Sequence, residues 1–177
     1  MSPCRWFASS RRVSRVFLEI FSGRKVHLHE DLGHVLLTCA NRERGPLQII
    51  IFEDDESLAK LLEQILVLKG HSVQCFPDPT VCPIYKDHEK KCPKNTPCAD
   101  IVISDYMMPK MNGIAFFELQ RKRGCKALDA NKAIITGSVI DSDMKEAIDE
   151  LGCHYFKKPF RVAEVLVWVE ECEKRLS

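Results

Sequence analysis

Ile101-Val102-Ile103-Ser104-Asp105-Tyr106-Met107-Met108-Pro109-Lys110-Met111-Asn112-Gly113 is the stretch that decides the fold. Ile101 to Ile103 is a short apolar run of the kind that forms a buried strand. The run stops at a carboxylate, Asp105, and Pro109 and Gly113 break any continuation before a helical pattern begins. A strand that ends on an acid and runs into a loop sets that acid at the carboxyl edge of a sheet, where open α/β sheets bind their ligands. Taken alone, such an Asp is most simply a turn cap. Its neighbours in space decide otherwise.

Working outward, Gln48 to Phe52 is a continuous apolar run, as expected for a strand buried on both faces of a parallel sheet. Leu58, Leu61, Leu62, Ile65, Leu66 and Leu68 then mark an amphipathic helix over Ser57 to Lys69, stopped by Gly70. His71 to Phe76 reads as a second strand. After the central stretch, Ile114, Phe116, Phe117 and Leu119 lie on a helix that ends near Gly124. Lys132 to Gly137 is a fourth strand. Asp141 to Leu151 is a helix capped by Asp141 or Ser142 and stopped by Gly152. Cys153 to Lys157 is a fifth strand, and Arg161 to Leu176 a closing helix with Val162, Val165, Leu166, Val169 and Leu176 inward. Alternating strands and helices imply a doubly wound parallel sheet with helices on both faces.

Residues 77–99 depart from that rhythm. Pro77, Pro79, Pro83, Pro93 and Pro97 forbid a continuous helix, leaving a short helical piece around Ile84 to Lys90. Cys82, Cys92 and Cys98 fall in this segment, with Cys75 just before it. Their spacing is wider than the paired cysteines of common zinc sites. Metal binding, a redox pair and an inert surface loop all stay open for them.

In a parallel sheet all carboxyl ends share one edge. That edge collects Glu53 and Asp54 from the first strand, Asp105 from the third, Thr136 from the fourth and Lys158 from the fifth. Glu53-Asp54-Asp55-Glu56 places four acids directly after a buried strand, where they repel one another unless a cation is present. Carboxylate oxygens suit Mg²⁺, which takes one or two carboxylates plus phosphate and water. A lysine and a hydroxyl suit a phosphoryl oxygen. Asp105, at the centre, is the expected nucleophile, forming an aspartyl-phosphate. Each residue alone has a plain explanation as a cap or a surface ion; five together at the correct strand ends do not.

Glu53-Asp54, Ser104 to Pro109 with Gly113, Ile135-Thr136-Gly137 and Tyr155-Phe156-Lys157-Lys158-Pro159-Phe160 closely resemble the receiver domain of two-component response regulators, over about residues 47–177. The resemblance implies a flavodoxin-like fold with five strands in the order 2-1-3-4-5. It implies Asp105 as phosphoacceptor, with Glu53, Asp54, Asp105 and the Met107 backbone carbonyl holding Mg²⁺. Thr136 and Tyr155 would be the switch pair and Lys158 the lysine that meets the phosphate. It implies a sensor histidine kinase or a histidine phosphotransfer protein as donor, and no catalysis beyond the domain's own phosphorylation and dephosphorylation. Pro159 matches a position that often follows a cis bond. Two features depart from the pattern: the Pro/Cys-rich insertion stands where much of the second helix belongs, and residues 1–46 have no counterpart.

The remainder of the chain bounds the function. Of 177 residues, 45% are hydrophobic and 29% charged, with a net charge of +1, so neither nucleic acid nor membrane insertion is implied. Nine cysteines in an α/β pattern are expected to be mostly reduced thiols in the cytoplasm. Charge is uneven: residues 1–46 hold eight basic against four acidic residues, +4, whereas 47–177 hold eighteen against twenty-one, −3. Residues 1–46 read as an N-terminal extension, poorly ordered or foreign to the natural product. Alternatives for it are a basic helix for a membrane surface or partner, built on Val13, Val16, Phe17, Ile20 and Phe21, and a transit peptide. His27, His29 and His34 lack a metal-ligand framework. With no output domain after the closing helix, the expectation is a stand-alone receiver that signals by phosphorylation-dependent contact with an unidentified downstream protein or by phosphorelay. The competing readings are a phosphorylation-independent pseudo-receiver and a redox or metal sensor built on the cysteine loop.

Overall fold

The computed structural model describes residues 45–177 apart from 87–89. The expectations for the arm, including its apolar stripe and its three histidines, therefore fall almost wholly outside the described residues. The sheet has five parallel strands: β1 (Gln48–Phe52), β2 (Ser72–Phe76), β3 (Ile101–Asp105), β4 (Lys132–Thr136) and β5 (His154–Lys157). Their order is β2-β1-β3-β4-β5, the doubly wound arrangement expected. The chain reverses its winding direction between β1 and β3, and a crevice opens there at the carboxyl edge.

Alternation along each strand divides the core. Ile49 and Ile51 of β1, Ile101 and Ile103 of β3 and Ile135 of β4 face the layer formed by α1 (Glu56–Leu68) and α5 (Val162–Leu176), where Leu62, Leu66, Val165, Trp168 and Val169 meet them. Phe52, Val102 and Ile134 face the opposite layer of α3 (Gly113–Lys122) and α4 (Ser142–Leu151), against Phe116, Phe117, Met144 and Ile148. Each such side chain contributes roughly 1.5–3 kcal/mol by leaving water. The strands are apolar on both faces because both faces are covered.

Helix ends are set by residues legible in the sequence. Asp55 Oδ1 accepts from the N–H groups of Ser57 and Leu58 at 2.8 and 3.2 Å, capping α1. Asp141, rather than Ser142, caps α4 through the Met144 N–H at 2.8 Å, and Gly152 ends it at φ 61°. The second helix is reduced to α2 (Pro83–Lys86), a single turn with Pro at its first position. After Phe76, what stands in for a longer helix is a 3₁₀ turn at Pro79–Val81, α2 and an irregular run into β3.

Gly113 opens α3 directly beneath the end of β3. A Cβ there would lie 2.5 Å from the Asp105 carbonyl oxygen and 2.9 Å from both Ile134 Cδ1 and Ser104 Oγ. The closest of these atoms is backbone and cannot rotate away. Gly113→Ala is expected to destabilise the domain by about 1–3 kcal/mol, read as a lower urea midpoint at unchanged slope. A midpoint equal to wild type would show that β3 and α3 separate freely at this point.

Candidate functional site

The carboxyl edge carries the charged groups. Glu53 follows β1, tied to β2 through its N–H to the Phe76 carbonyl at 3.0 Å. Asp105 is the last residue of β3, and the Tyr106 N–H continues the ladder to the Ile135 carbonyl at 2.7 Å. Lys158 follows β5 and donates its N–H to the Thr136 carbonyl at 2.7 Å. Its peptide bond to Pro159 is cis. Sheet hydrogen bonds thus fix the backbone at all four strand ends that meet here, the β4 end through the Thr136 carbonyl.

Two of the acids are buried. Asp105 is 4% exposed and Glu53 3%, whereas Asp54 is exposed. Lys158 Nζ reaches Asp105 Oδ1 at 2.6 Å and Glu53 Oε2 at 3.1 Å, so one ammonium compensates both buried charges. The other Asp105 oxygen, Oδ2, accepts from the Met107 N–H at 2.6 Å. Burial, and then the Asp105 carboxylate, push the Glu53 carboxyl above its ordinary range. Burial opposes the Lys158 charge, but the bonds to Asp105 and Glu53 outweigh it and hold the ammonium above its usual range.

Ligand oxygens of Glu53, Asp54 and Asp105 all lie within 4.8 Å of one another. Two buried carboxylates and one exposed one, with an excess of negative charge that a single lysine does not cancel, form a hard-oxygen set that fits a small divalent cation such as Mg²⁺. The four-acid run divides its labour: Glu53 and Asp54 turn to the site, while Asp55 caps α1 and Glu56 begins it.

Thr136 is fully buried at the end of β4. Its hydroxyl accepts from the Ser138 N–H at 3.1 Å. Tyr155 pairs with Ile134 across β4 and β5 and is partly buried against the α3/α4 layer. The Lys145 ammonium of α4 stands 5.9 Å from its ring centroid. Met107 is 65% exposed at the mouth of the site.

Sequence reasoning missed a second link between the site and the β2 side. Lys110 Nζ donates to Asp78 Oδ2 at 2.7 Å, with Lys110 held in the left-handed region at φ 75°. Both residues lie in turns with no periodic pattern, so only the charge signs could have suggested them. The structure also regroups the cysteines. Cys75 lies in the α1/α5 layer, its Sγ 3.7 Å from the Ala59 carbonyl, whereas Cys82 and Cys125 both pack against the opposite layer.

Residues 49–170 match the family model of the response regulator receiver domain. The transcriptional regulatory protein RprY of Bacteroides fragilis is 30% identical over 130 residues, 73% of this chain and 50% of RprY. The chain thus spans about half the length of that relative. Among solved structures, the Francisella response regulator 1452 receiver domain superposes with a TM-score of 0.58 at 19% identity, covering 74% of this chain and 99% of that one. The receiver domain of sensor histidine kinase PA1611 from Pseudomonas aeruginosa PAO1, solved with a magnesium ion coordinated in its active site cleft, gives 0.56 at 17% identity, covering 73% and 99%.

The Asp78–Lys110 pair yields a pH test. The Lys110 ammonium, and then the Thr80 hydroxyl and N–H, hold the Asp78 carboxyl down from 3.8 to about 2. A carboxyl depressed in the folded state stabilises it fully above the ordinary value and loses that contribution as pH falls toward the folded one. Asp78→Asn is therefore expected to be less stable than wild type near neutral pH, the difference closing as pH drops from about 4 to about 2. Urea titrations across that range read it; a constant difference would show that the pair adds no pH-linked stability.

Proposed function

The chain belongs to the response regulator receiver family, and from that premise we propose that Asp105 accepts a phosphoryl group from a sensor histidine kinase or a histidine phosphotransfer protein. The observation that carries the reading is Asp105 itself: a buried carboxylate at the central strand end, one oxygen on Lys158 and the other on the Met107 N–H. These two bonds fix the carboxylate plane before a donor arrives, which is the orientation term of catalysis. A carboxylate oxygen bonds to phosphorus as the P–N bond of phosphohistidine breaks. The imidazole leaves with that electron pair and takes up its proton from its own surroundings. Lys158 is the cation nearest the charge that develops on the transferred oxygens.

Glu53, Asp54, Asp105 and the Met107 carbonyl are the groups we assign to Mg²⁺. When bound, the ion offsets negative charge so that an anionic donor can approach. The chain's own residues do the rest: β1, β3 and β5 supply the groups, and Gly113 lets α3 start against Asp105.

For output, we assign the switch to Thr136 and Tyr155. A phosphoryl group on Asp105 adds about −1.5 to −2 charge and three acceptor oxygens. Lys158 meets one of them. Thr136 meets another by releasing Ser138 and turning its hydroxyl inward, vacating space beside Ile134 that the neighbouring Tyr155 ring fills. The face made by α4, β5 and α5 then changes shape, a local two-state element biased by charge. We further propose that the receiver domain spans residues 47–177 and acts by phosphorylation-dependent contact with a downstream protein, with residues 1–46 dispensable for the chemistry. A cytoplasmic setting suits the described cysteines, all of them free thiols.

Three outcomes are expected. Intact-mass spectrometry with a small phosphodonor should show one added phosphoryl group only when Mg²⁺ is supplied. Labelling of Asp105→Asn at the wild-type rate would remove Asp105 as nucleophile. A chain beginning at Pro46 should fold and label like the full chain; a loss of several kcal/mol, the size of a deleted core element, would make the arm part of the fold. Beryllofluoride, a phosphate mimic, should move the Tyr155 ring signals in wild type and not in Thr136→Ala. Identical Tyr155 signals with and without it would place the switch elsewhere.

A further inference from the structure

Outside the acid site, four cysteines lie in one neighbourhood where the second helix is missing, three of them partly buried and Cys98 exposed. Cys82 heads α2: its N–H bonds the Pro79 carbonyl and its own carbonyl accepts from the Tyr85 N–H, both at 3.0 Å. Cys92 sits in the irregular segment and donates its N–H to the Arg123 carbonyl at 2.8 Å. That bond pins the insertion two residues from Cys125, which follows α3 with its N–H on the Gln120 carbonyl at 2.9 Å. Cys98 precedes Ala99, which is buried in the same apolar cluster that Cys82 and Cys125 pack against. Burial lifts the Cys82 and Cys98 thiols, and neighbouring sulfur adds to it: Cys125 and Cys98 act on Cys82, Cys125 and Cys92 on Cys98.

We propose that Cys82, Cys92, Cys98 and Cys125 form a tetrathiolate structural site for zinc that staples the segment replacing the second helix to the end of α3. Four sulfurs with no histidine or carboxylate among them are the donor set of a closed, structural Zn²⁺ site. The segment needs such a staple. Between α2 and β3 the described chain has neither helix nor strand, and connections of that length inside compact domains are uncommon unless something ties them down. A metal cross-link there limits the freedom of the unfolded chain as well. The charge balance is favourable: a zinc tetrathiolate carries two negative charges, and Lys94 already acts on Cys98, with Lys90, Lys91, Arg123 and Lys126 close by in sequence. Loading releases the thiol protons to solvent, so zinc retention weakens as pH falls.

Among the described residues only the acid triad has three or more ligand atoms all within 4.8 Å. The sulfur set is therefore open, and zinc would contract it by drawing in Cys92 and Cys98, which lie on irregular backbone, toward Cys82 and Cys125, which flank helices. Cys75 is excluded by its place on the other face of the sheet.

The test uses the full chain, purified under reducing conditions. Elemental analysis should find about one zinc per chain. Replacement by Co²⁺ should give the sulfur-to-cobalt charge-transfer absorption of tetrahedral thiolate sites, a band the acid site cannot produce. Cys82→Ser and Cys125→Ser should each lower retained zinc about tenfold or more and abolish that band. Cys75→Ser and Asp105→Asn should keep both. Far-UV circular dichroism, with Mg²⁺-dependent labelling of Asp105, checks that the serine variants remain folded. Wild-type chain that holds no zinc and shows no thiolate band with cobalt overturns the proposal, as does a Cys75→Ser variant that loses metal as fully as Cys125→Ser.

Discussion

One ammonium group holds the candidate site together. Lys158 Nζ lies 2.6 Å from Asp105 and 3.1 Å from Glu53, and both carboxylates are almost wholly removed from water. Burying two like charges side by side is unfavourable unless a cation is within reach. Removing one partner of a buried ion pair typically costs about 3–5 kcal/mol, because the remaining charge is stranded. Burial, and then the neighbouring Asp105 carboxylate, make Glu53 take up a proton more readily than an ordinary glutamate, and the arrangement still has surplus negative charge. The site is thus held in a state that welcomes a further cation and, after it, an anion. The five strands exist, in functional terms, to bring β1, β3 and β5 to one edge in the register that makes these distances.

Much of this could be read from residue order. Apolar runs ending on Glu53, Asp105, Thr136 and Lys158 gave both the strands and their polarity, since parallel strands buried on both faces need uninterrupted apolar sequence. What could not be read depended on side-chain direction or on contacts without sequence period. The run Glu53 to Glu56 looks uniform, yet a cap requirement turns Asp55 to the helix while Glu53 and Asp54 face the site. Lys132 reads as the first residue of a strand but is 1% exposed. It is accommodated by Asp129 at 2.7 Å and by the Phe117 ring at 5.5 Å from its centroid. Gly113 breaks a pattern on paper; in space it is required because the Asp105 carbonyl occupies the position of a Cβ. Cys75 and Cys82 are seven residues apart in sequence and on opposite faces of the sheet, since Cys75 lies on β2 with its side chain toward α1 and α5, whereas Cys82 lies beyond the strand, in the turn that leads into α2.

Thr136 and Tyr155 differ from the rest of the edge in how tightly they are held. Thr136 sits at a fully buried strand end, and its hydroxyl has a partner in Ser138 that costs only one hydrogen bond to exchange. Tyr155 lies on the edge strand β5, where one flank is covered by β4 and α4 and the other is open. A buried residue with a replaceable partner beside a half-buried ring is the pair to which we assign the proposed switch. Residues deeper in the sheet, such as Ile103 and Ile135, have packing on all sides and no comparable alternative.

The loss of most of the second helix ought to open the sheet face beside β1 and β3, and the reason it does not lies in aromatic packing. Phe52 and Phe116 meet edge-to-face at 5.2 Å, Phe76 lies 6.0 Å from Phe52, and Phe117 lies 6.1 Å from Phe116. This row of rings covers the strand face that a longer helix would have covered. Only Ile84 of the single-turn α2 needs to enter the core, at 2% exposure, and Ala99 closes the gap before β3. The insertion therefore contributes to the core at a few points, among them Ile84 and Ala99, rather than along a helical stripe. What the insertion must satisfy is narrower: it must return the chain from β2 to β3 with Asp78 placed against Lys110. A segment whose packing is confined to a few side chains can accept proline and cysteine in numbers that a helix would not tolerate, and what orders it is local: the Asp78–Lys110 ion pair, the Cys92 N–H on the Arg123 carbonyl, and single buried residues rather than an apolar stripe.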